Sequence, residues 1–432
     1  MSLSVNYRIR HEWVSRGYDG KTCWVQCRAG AIPPGAAGGN SLPLVVMTMQ
    51  KLLLSGSDVF YELNERRTDD LGATWSGPTP HAATLGRRTD PDGSESVICD
   101  ATPRWHAATG KLLSTGHEAQ YRKNVLAPGD LRRLPAYTVY DPAARTWSPW
   151  QSMAMPELNG RFANSGAGCS QRFDLENGDI LLPLYYWEPR VGADARREAC
   201  GRAVACVCRC RFDGTTLRYV EHGTEMTCPE VRGFGEPSLT RFQGRFFLTL
   251  RNDMRGYVTA GEDGLHFAPP VPWTFDDGAE LGSYNTQQHW VTHGDALFLV
   301  YTRRGLNNDH VFRHRAPLLM AQVDPERLCV LRATERILVP ERGARLGNFA
   351  VTEVSERETW ITVSEWMQNG GPNARVMLEK LGRVTPGDAA PTRPDQAYGP
   401  ECECFGSDNT VWVARLLWEK PNTHAFWMGG KP

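Results

Sequence analysis

The chain has 432 residues, with 48 Lys and Arg against 49 Asp and Glu, for a formal net charge of −1. That length exceeds one small core, and the balanced charge provides no global field toward nucleic acid or an anionic membrane surface. No stretch approaches the roughly 18 apolar residues of a membrane-spanning helix, and no sustained helical periodicity is present, so an all-β fold is expected.

The N-terminus, MSLSVNYRIRHEW, has no apolar signal core. It implies a cytoplasmic protein, or a secreted one whose leader has been removed. Val5–Val14 reads as a strand without a nearby partner. Asp58–Arg67, DVFYELNERR, is an extended run leading into Thr68–Trp75, TDDLGATW. In that segment Asp70 can accept hydrogen bonds from nearby backbone N–H groups, Gly72 supplies a left-handed turn residue, and Trp75 is placed to plug the core. Weaker echoes follow at Asp141–Trp147, at Asp213-Gly214 and at Glu262–Phe267.

A second repeat is clearer: a strand, a polar turn with Gly, and a strand of about seven residues. It recurs in Asp100–His117 (DATPRWHAATGKLLSTGH), Gln171–Tyr185 (QRFDLENGDILLPLY), Glu236–Arg251 (EPSLTRFQGRFFLTLR) and Gln287–Tyr301 (QQHWVTHGDALFLVY). Repeats of roughly 50–75 residues indicate the blades of a β-propeller. The expected blades run Thr22–Gly77, Ser96–Trp150, Ser165–Glu221, Gly235–Trp273, Asn285–Val339 and Asn348–Lys380. Thr410–Glu419 is a strand short of partners, so the two termini are expected to share a closing blade and leave no open edge. The reading is a single domain over residues 1–432 with seven blades, six being the alternative. Glu188–Arg202 and Asn369–Asn373 read as loops.

The 12 cysteines include Cys206, Cys208 and Cys210 on one strand face, and Cys402 with Cys404. Neighbours on one face do not bridge readily, and the spacing fits no zinc template. Buried free thiols in a reducing compartment are expected, with no metal and no cofactor.

TDDLGATW resembles the Asp-box of the sialidase superfamily, whose members are β-propellers. Gly235–Phe267 resembles a sialidase blade, with Glu236 opening the inner strand, Arg251 ending the second strand and a box at Asp263-Gly264. The resemblance implies that Glu236 and Arg251 face the top of the central channel and that Arg251 binds a substrate carboxylate. Arg303, Arg313 and Arg315 are candidates for another family arginine. The family's F-R-I-P motif is absent, and Gly347–Val351, GNFAV, has no tyrosine where its nucleophile is expected.

Register yields a site independently. Seven residues beyond the turn glycines Gly110, Gly178, Gly244 and Gly294 stand His117, Tyr185, Arg251 and Tyr301. Equivalent positions form a ring at one channel end, and strand starts there add Asp100, Glu236, Gln287 and Asn348, with Glu365 in a comparable place. Carboxylates among Glu236, Asp100, Asp58 and Glu365 suit glycoside hydrolysis, the chemistry slightly favoured. His117 and Tyr185 as base and acid, with Arg251 neutralising a uronate carboxylate, suit β-elimination. That trio is similar to what propeller-type polysaccharide lyases and their glycosidase relatives use. A non-catalytic glycan-binding propeller is the third reading. The expected partner is an acidic oligosaccharide or polysaccharide, without nucleic acid or membrane.

Overall fold

A computed structural model of the chain describes residues 5–54, 58–126, 133–187, 202–368, 371, 373–387 and 401–424. The expected loop at Glu188–Arg202, Arg202 apart, and most of Asn369–Asn373 lie outside them. The strands form six antiparallel sheets arranged as a propeller. The first sheet holds Thr22–Ile32, Leu44–Leu53, Val59–Thr68 and Thr79–Pro80; the second is built on Glu95–His106, Lys111–Arg122 and Pro135–Asp141. Ile180–Trp187, Ala203–Phe212 and Leu217–His222 make the third, and Gly235–Phe242, Arg245–Arg251 and Tyr257–Gly261 most of the fourth. The fifth comprises His289–His293, Ala296–Tyr301 and Leu318–Asp324 with shorter pieces. Where the other sheets open on a continuous inner strand, the third has only the short pieces Ser165–Gly166 and Phe173–Asp174.

The expectation of seven blades is corrected by the last sheet. Tyr7–Ser15 pairs with Val411–Trp418, and that strand pairs with Glu358–Ser364, which pairs with Ala350–Ser355. The termini therefore do share the closing sheet, but they complete the sheet begun at Ala350 instead of forming one more. Ala374–Lys380, taken as the end of a blade, is a short helix.

Each neighbouring pair of sheets encloses apolar side chains. Val45, Met47, Trp360 and Val413 lie between the first and last sheets; Leu182, Cys206 and Cys208 pack with Leu113 and Val139 between the second and third. Hydrogen bonds join inner strands around the ring. Leu239 N–H donates to Gln171 O at 2.8 Å, Trp290 Nε1 to Ser238 O at 2.8 Å, and Thr352 Oγ1 to Ala29 O at 2.6 Å, the last closing the circle. Every cysteine among the described residues is a free thiol, and all but Cys404 are buried. No helix among the described residues is long and apolar enough to cross a membrane.

The aspartate turns repeat more widely than the sequence suggested. Asp70 accepts from Thr74 N–H at 2.9 Å, Thr74 Oγ1 at 2.6 Å and Thr68 Oγ1 at 2.8 Å, and Gly72 holds φ 86°. Asp141, Asp213 and Asp263 each accept two consecutive backbone N–H groups in the corresponding turns, and so does Asp324, which the sequence reading passed over. Trp75 is only partly buried, lying 6.1 Å from the Trp360 ring, so it covers the sheet interface rather than filling it.

These hydrogen bonds from Thr74 and Thr68 hold the Asp70 carboxyl down at about 2. Its folded value lies below the unfolded one near 3.9, so its stabilisation is complete above pH 4 and lost as pH falls through about 2. Asp70→Asn is expected to lower the melting temperature at pH 6, with the gap to wild type closing toward pH 2. A gap independent of pH in thermal melts would refute the carboxylate's role.

Candidate active site

Polar residues at one end of the channel are placed by backbone irregularity. Pairing of the inner strand slips between Val25 and Arg28 in the first sheet, between Cys99 and Thr102 in the second, and between Gly235 and Ser238 in the fourth. At these bulges Gln26, Asp100 and Glu236 adopt φ of 56°, 53° and 43°. Cys169, in the turn between Ser165–Gly166 and Phe173–Asp174, holds φ 56°. A bulge inserts an unpaired residue and re-aims its side chain. Here the bulges turn Gln26, Asp100 and Glu236 into one cavity of about 300 Å³, which Cys169 also lines. Asp58, Arg232 and Arg313, also at positive φ, line the same space. Left-handed backbone at non-glycine residues is uncommon and gathers at functional sites.

Of the sequence candidates, His117, Tyr185, Glu236, Asp100, Arg251, Arg313, Arg315 and Asp58 line this cavity together. Arg251 is buried and donates to Glu236 through Nη1 and to Asn285 through Nη2. Asn285 also offers its carbonyl to Arg315. His117 Nε2 lies 3.2 Å from Asp100 Oδ2, while Nδ1 is buried without a partner. Burial, with Arg133 and Arg28 nearby, lowers the His117 pKa well below the usual imidazole value and leaves the ring neutral. Asp100 shifts the other way. Burial raises it, and the charges of Glu236 and Asp58 add to that rise against the pull of Arg28. Burial also raises the Tyr185 phenol.

The fit is close. A Cβ on Gly168 would stand 2.1 Å from His117 Nδ1, and one on Gly347 would stand 2.6 Å from Arg315 Cδ. Gly347 opens the segment where the resemblance expected a tyrosine, and it leaves the room that Arg315 occupies.

Five candidates fall elsewhere, one being Asn348, whose side chain bonds Ser364. Tyr301 donates its hydroxyl to Glu335 at 2.5 Å and packs in the core between the fourth and fifth sheets. Arg303 forks onto the same Glu335 at 2.7 and 2.8 Å. The count from Gly294 misplaces Tyr301 by one residue. His293 pairs with Ala296, so Gly294 is the first turn residue, whereas Gly244 is the second in the turn that pairs Phe242 with Arg245. A slip of one residue turns a strand side chain to the opposite face. Glu365 is buried and accepts Asp408 N–H at 2.9 Å and Thr410 N–H at 3.1 Å, anchoring the chain that enters Val411–Trp418. Gln287 accepts from Arg28 at 3.1 Å and donates to Phe349 O, tying inner strands together outside the cavity lining.

Sequence reasoning missed Arg345, Trp366, Cys169, Arg232 and Arg133, all of which line the cavity. Nothing in the segment GARLGNF marks Arg345. Cys169 is marked only by the glycine-rich SGAGCS around it.

Six arginines and three carboxylates line the cavity. Arg315 carries no carboxylate partner among the described residues, and burial with Arg251, Arg313 and Arg345 nearby depresses its pKa. The space is therefore built for an anion. Cys99, Asp100 and His117 present donor atoms within 4.8 Å of one another, a grouping that could hold a metal ion. Arg28, with Nη2 3.8 Å from Asp100 Oδ1, brings a fixed positive charge that opposes one.

No family model matches the sequence, and no curated protein does. Solved structures match across the chain. A protein of unknown function from Dyadobacter fermentans aligns over 95% of this chain and 99% of its own, with TM-score 0.56 and 12% identity. Trypanosoma rangeli sialidase in complex with sialic acid aligns over 95% of this chain, with TM-score 0.55 and 13% identity. The chain has the fold of a divergent sialidase-like β-propeller. A mutant of the trypanosome enzyme displaying trans-sialidase activity matches with TM-score 0.53 at 12% identity. The chain spans 59% of the length of those sialidase chains.

Buried neutral histidines in this sialidase-like propeller contribute a loss of stability in acid. His289, bonded to Ser238 at 2.7 Å, is lowered to about 3 by burial and the charge of Arg28. The unfolded chain binds the extra proton near 6.5, so stability is complete above that pH and declines as pH falls toward about 3. Each such histidine contributes a slope of up to about 1.4 kcal/mol per pH unit in that window. Urea unfolding between pH 7.5 and 4 is expected to show the decline, and His289→Gln is expected to flatten it. An unchanged slope in the variant would exclude His289 as a source.

Proposed function

We propose that the protein cleaves a glycosidic bond at an acidic sugar, by hydrolysis. The observation that carries this reading is the meeting of Arg251, Arg313 and Arg315 with Asp58, Asp100 and Glu236 in one cavity. The arginines supply planar forks that match a carboxylate. The carboxyl groups supply acid and base. Asp100, whose pKa is raised by burial and by its acidic neighbours, suits proton donation to the departing glycosidic oxygen. Glu236, held by Arg251, is the carboxylate that activates water or attacks the anomeric carbon. Support also comes from the trypanosome sialidase of like fold, which is described in complex with sialic acid.

Elimination is the second reading, favoured by one feature. His117 is a neutral imidazole in the same cavity as the Tyr185 phenol, the pair that proton abstraction beside a uronate carboxylate requires. Its weakness is geometric: Nε2 faces Asp100, and Nδ1 faces Gly168.

Incubation with a panel of acidic glycans, read by reducing-end release and by ultraviolet absorbance of unsaturated uronate, separates these readings. Reducing ends alone are expected. Absorbance rising with them selects elimination, and binding without either product selects a glycan-binding propeller. Glu236→Gln is expected to reduce turnover by about 10²–10⁴ with substrate binding largely retained. Arg251→Lys is expected to cost about tenfold or more, roughly 1.4 kcal/mol, because a lysine cannot reproduce the paired hydrogen bonds. Wild-type turnover in both variants would place the chemistry elsewhere.

A further inference from the structure

Arg345 stands apart from the other cavity arginines. It leaves the bridge that pairs it with Trp366 and stacks under that indole at 4.4 Å, with the Phe312 ring at 4.9 Å. It is 4% exposed, and its Nε and Nη2 are buried with no hydrogen-bond partner among the described residues. The Nε1 donor of Trp366 is likewise buried and without a partner among the described residues, and Trp366 is 6% exposed. All three side chains line the cavity, as does Arg313, which rests 5.0 Å from the Phe312 ring.

Asp58 acts on Arg345 through its charge, but a buried guanidinium whose donors lack an acceptor is costly. Aromatic stacking offsets part of that cost but supplies no acceptor. The donors of Arg345 and Trp366 call for an acidic oxygen. The thiol of Cys402, which approaches Arg345, does not supply one: it donates to Gln368 O at 2.6 Å, and burial keeps it protonated. The first carboxylate of an acidic sugar is already provided for by Arg251 and Arg315, which share Asn285.

We propose that Arg345 and Trp366, flanked by Phe312 and Arg313, form a second anion subsite that receives a further acidic substituent of the same glycan. The inference rests on the reading of the cavity as an acidic-glycan site and narrows its substrate class. The ligand carries two anionic groups, the second being a sulfate ester or a second carboxylate.

Calorimetric titration of the full chain tests this with glucuronate, its O-sulfated isomers and disaccharides of two uronates as probes. At least one dianionic probe is expected to bind about tenfold more tightly than glucuronate. Arg345→Gln is expected to erase that preference while leaving glucuronate affinity within about threefold of wild type; Trp366→Phe, which keeps the stacked ring and removes the donor, is expected to reduce it. The better-bound dianion distinguishes sulfate from carboxylate. Equal binding of all probes by wild type, with glucuronate still dependent on Arg251, overturns the second subsite alone. Equal loss of both probe classes in Arg345→Gln also overturns it, and Trp366→Phe decides where Arg345→Gln does not fold. Failure of wild type to bind any probe overturns the acidic-glycan reading together with it.

Discussion

The bulge at the mouth of the inner strands is the constraint on which the site depends. In an unbroken ladder, alternate side chains of those strands would face the neighbouring sheets. The extra residue at Gln26, Asp100 and Glu236 breaks the alternation once and sends a polar side chain into the channel. Such conformations cost of order 1–3 kcal/mol each and persist only where the surroundings over-determine them. The surroundings here are the apolar layers between sheets, whose residues are almost wholly buried around the ring. Strain at the channel mouth and packing between the sheets are thus two sides of one arrangement. Asn285, also at positive φ, adds a further link by receiving Arg251 on its side chain and Arg315 on its carbonyl.

Electrostatics follows from that geometry. Arginines enter the cavity from segments that pack against it, and few of them meet a carboxylate. Arg251 has Glu236, and Arg232 lies 3.6 Å from Asp253. Arg315 has a backbone carbonyl, and Arg345 has aromatic faces. The mutual repulsion of these charges is a standing cost that an anionic ligand relieves, and that relief favours occupancy. Small residues make the crowding feasible. Gly166 and Gly168 admit the His117 ring, and Gly347 admits the stem of Arg315.

Much of the fold was legible because its signals are local. The aspartate of a turn, the glycine beside it and the alternating strands on either side declare a hairpin within about ten residues. Six sheets read as seven because Val5–Val14 and Thr410–Glu419 lie at opposite ends of the chain, and periodicity cannot tell which sheet they complete. The site was legible where a second strand carries a polar, titratable side chain at a repeated register, as at His117, Tyr185 and Arg251. It failed at Tyr301, where the glycine sits one place earlier in its turn. It failed again at Arg345 and Cys169, which reach the cavity through an isolated bridge and a left-handed residue that leave no periodic trace.

The absence of tyrosine from Gly347–Val351 then has a structural reading. A large side chain in place of Gly347 would collide with Arg315, so that face of the cavity belongs to a cation. The phenol in the cavity is Tyr185, contributed by the third sheet beside the fourth, where a Cβ on Gly235 would lie 3.9 Å from its ring. Tyr185 lies near the end of a second strand, Ile180–Trp187, whereas Glu236 sits at an inner-strand bulge, so the two meet across a sheet boundary. A ring of sheets sharing one register lets a functional group be supplied by any neighbour whose strand ends at the same height. The fold can therefore keep one cavity geometry while the polar groups that line it are drawn from different sheets, so fold alone does not dictate chemistry.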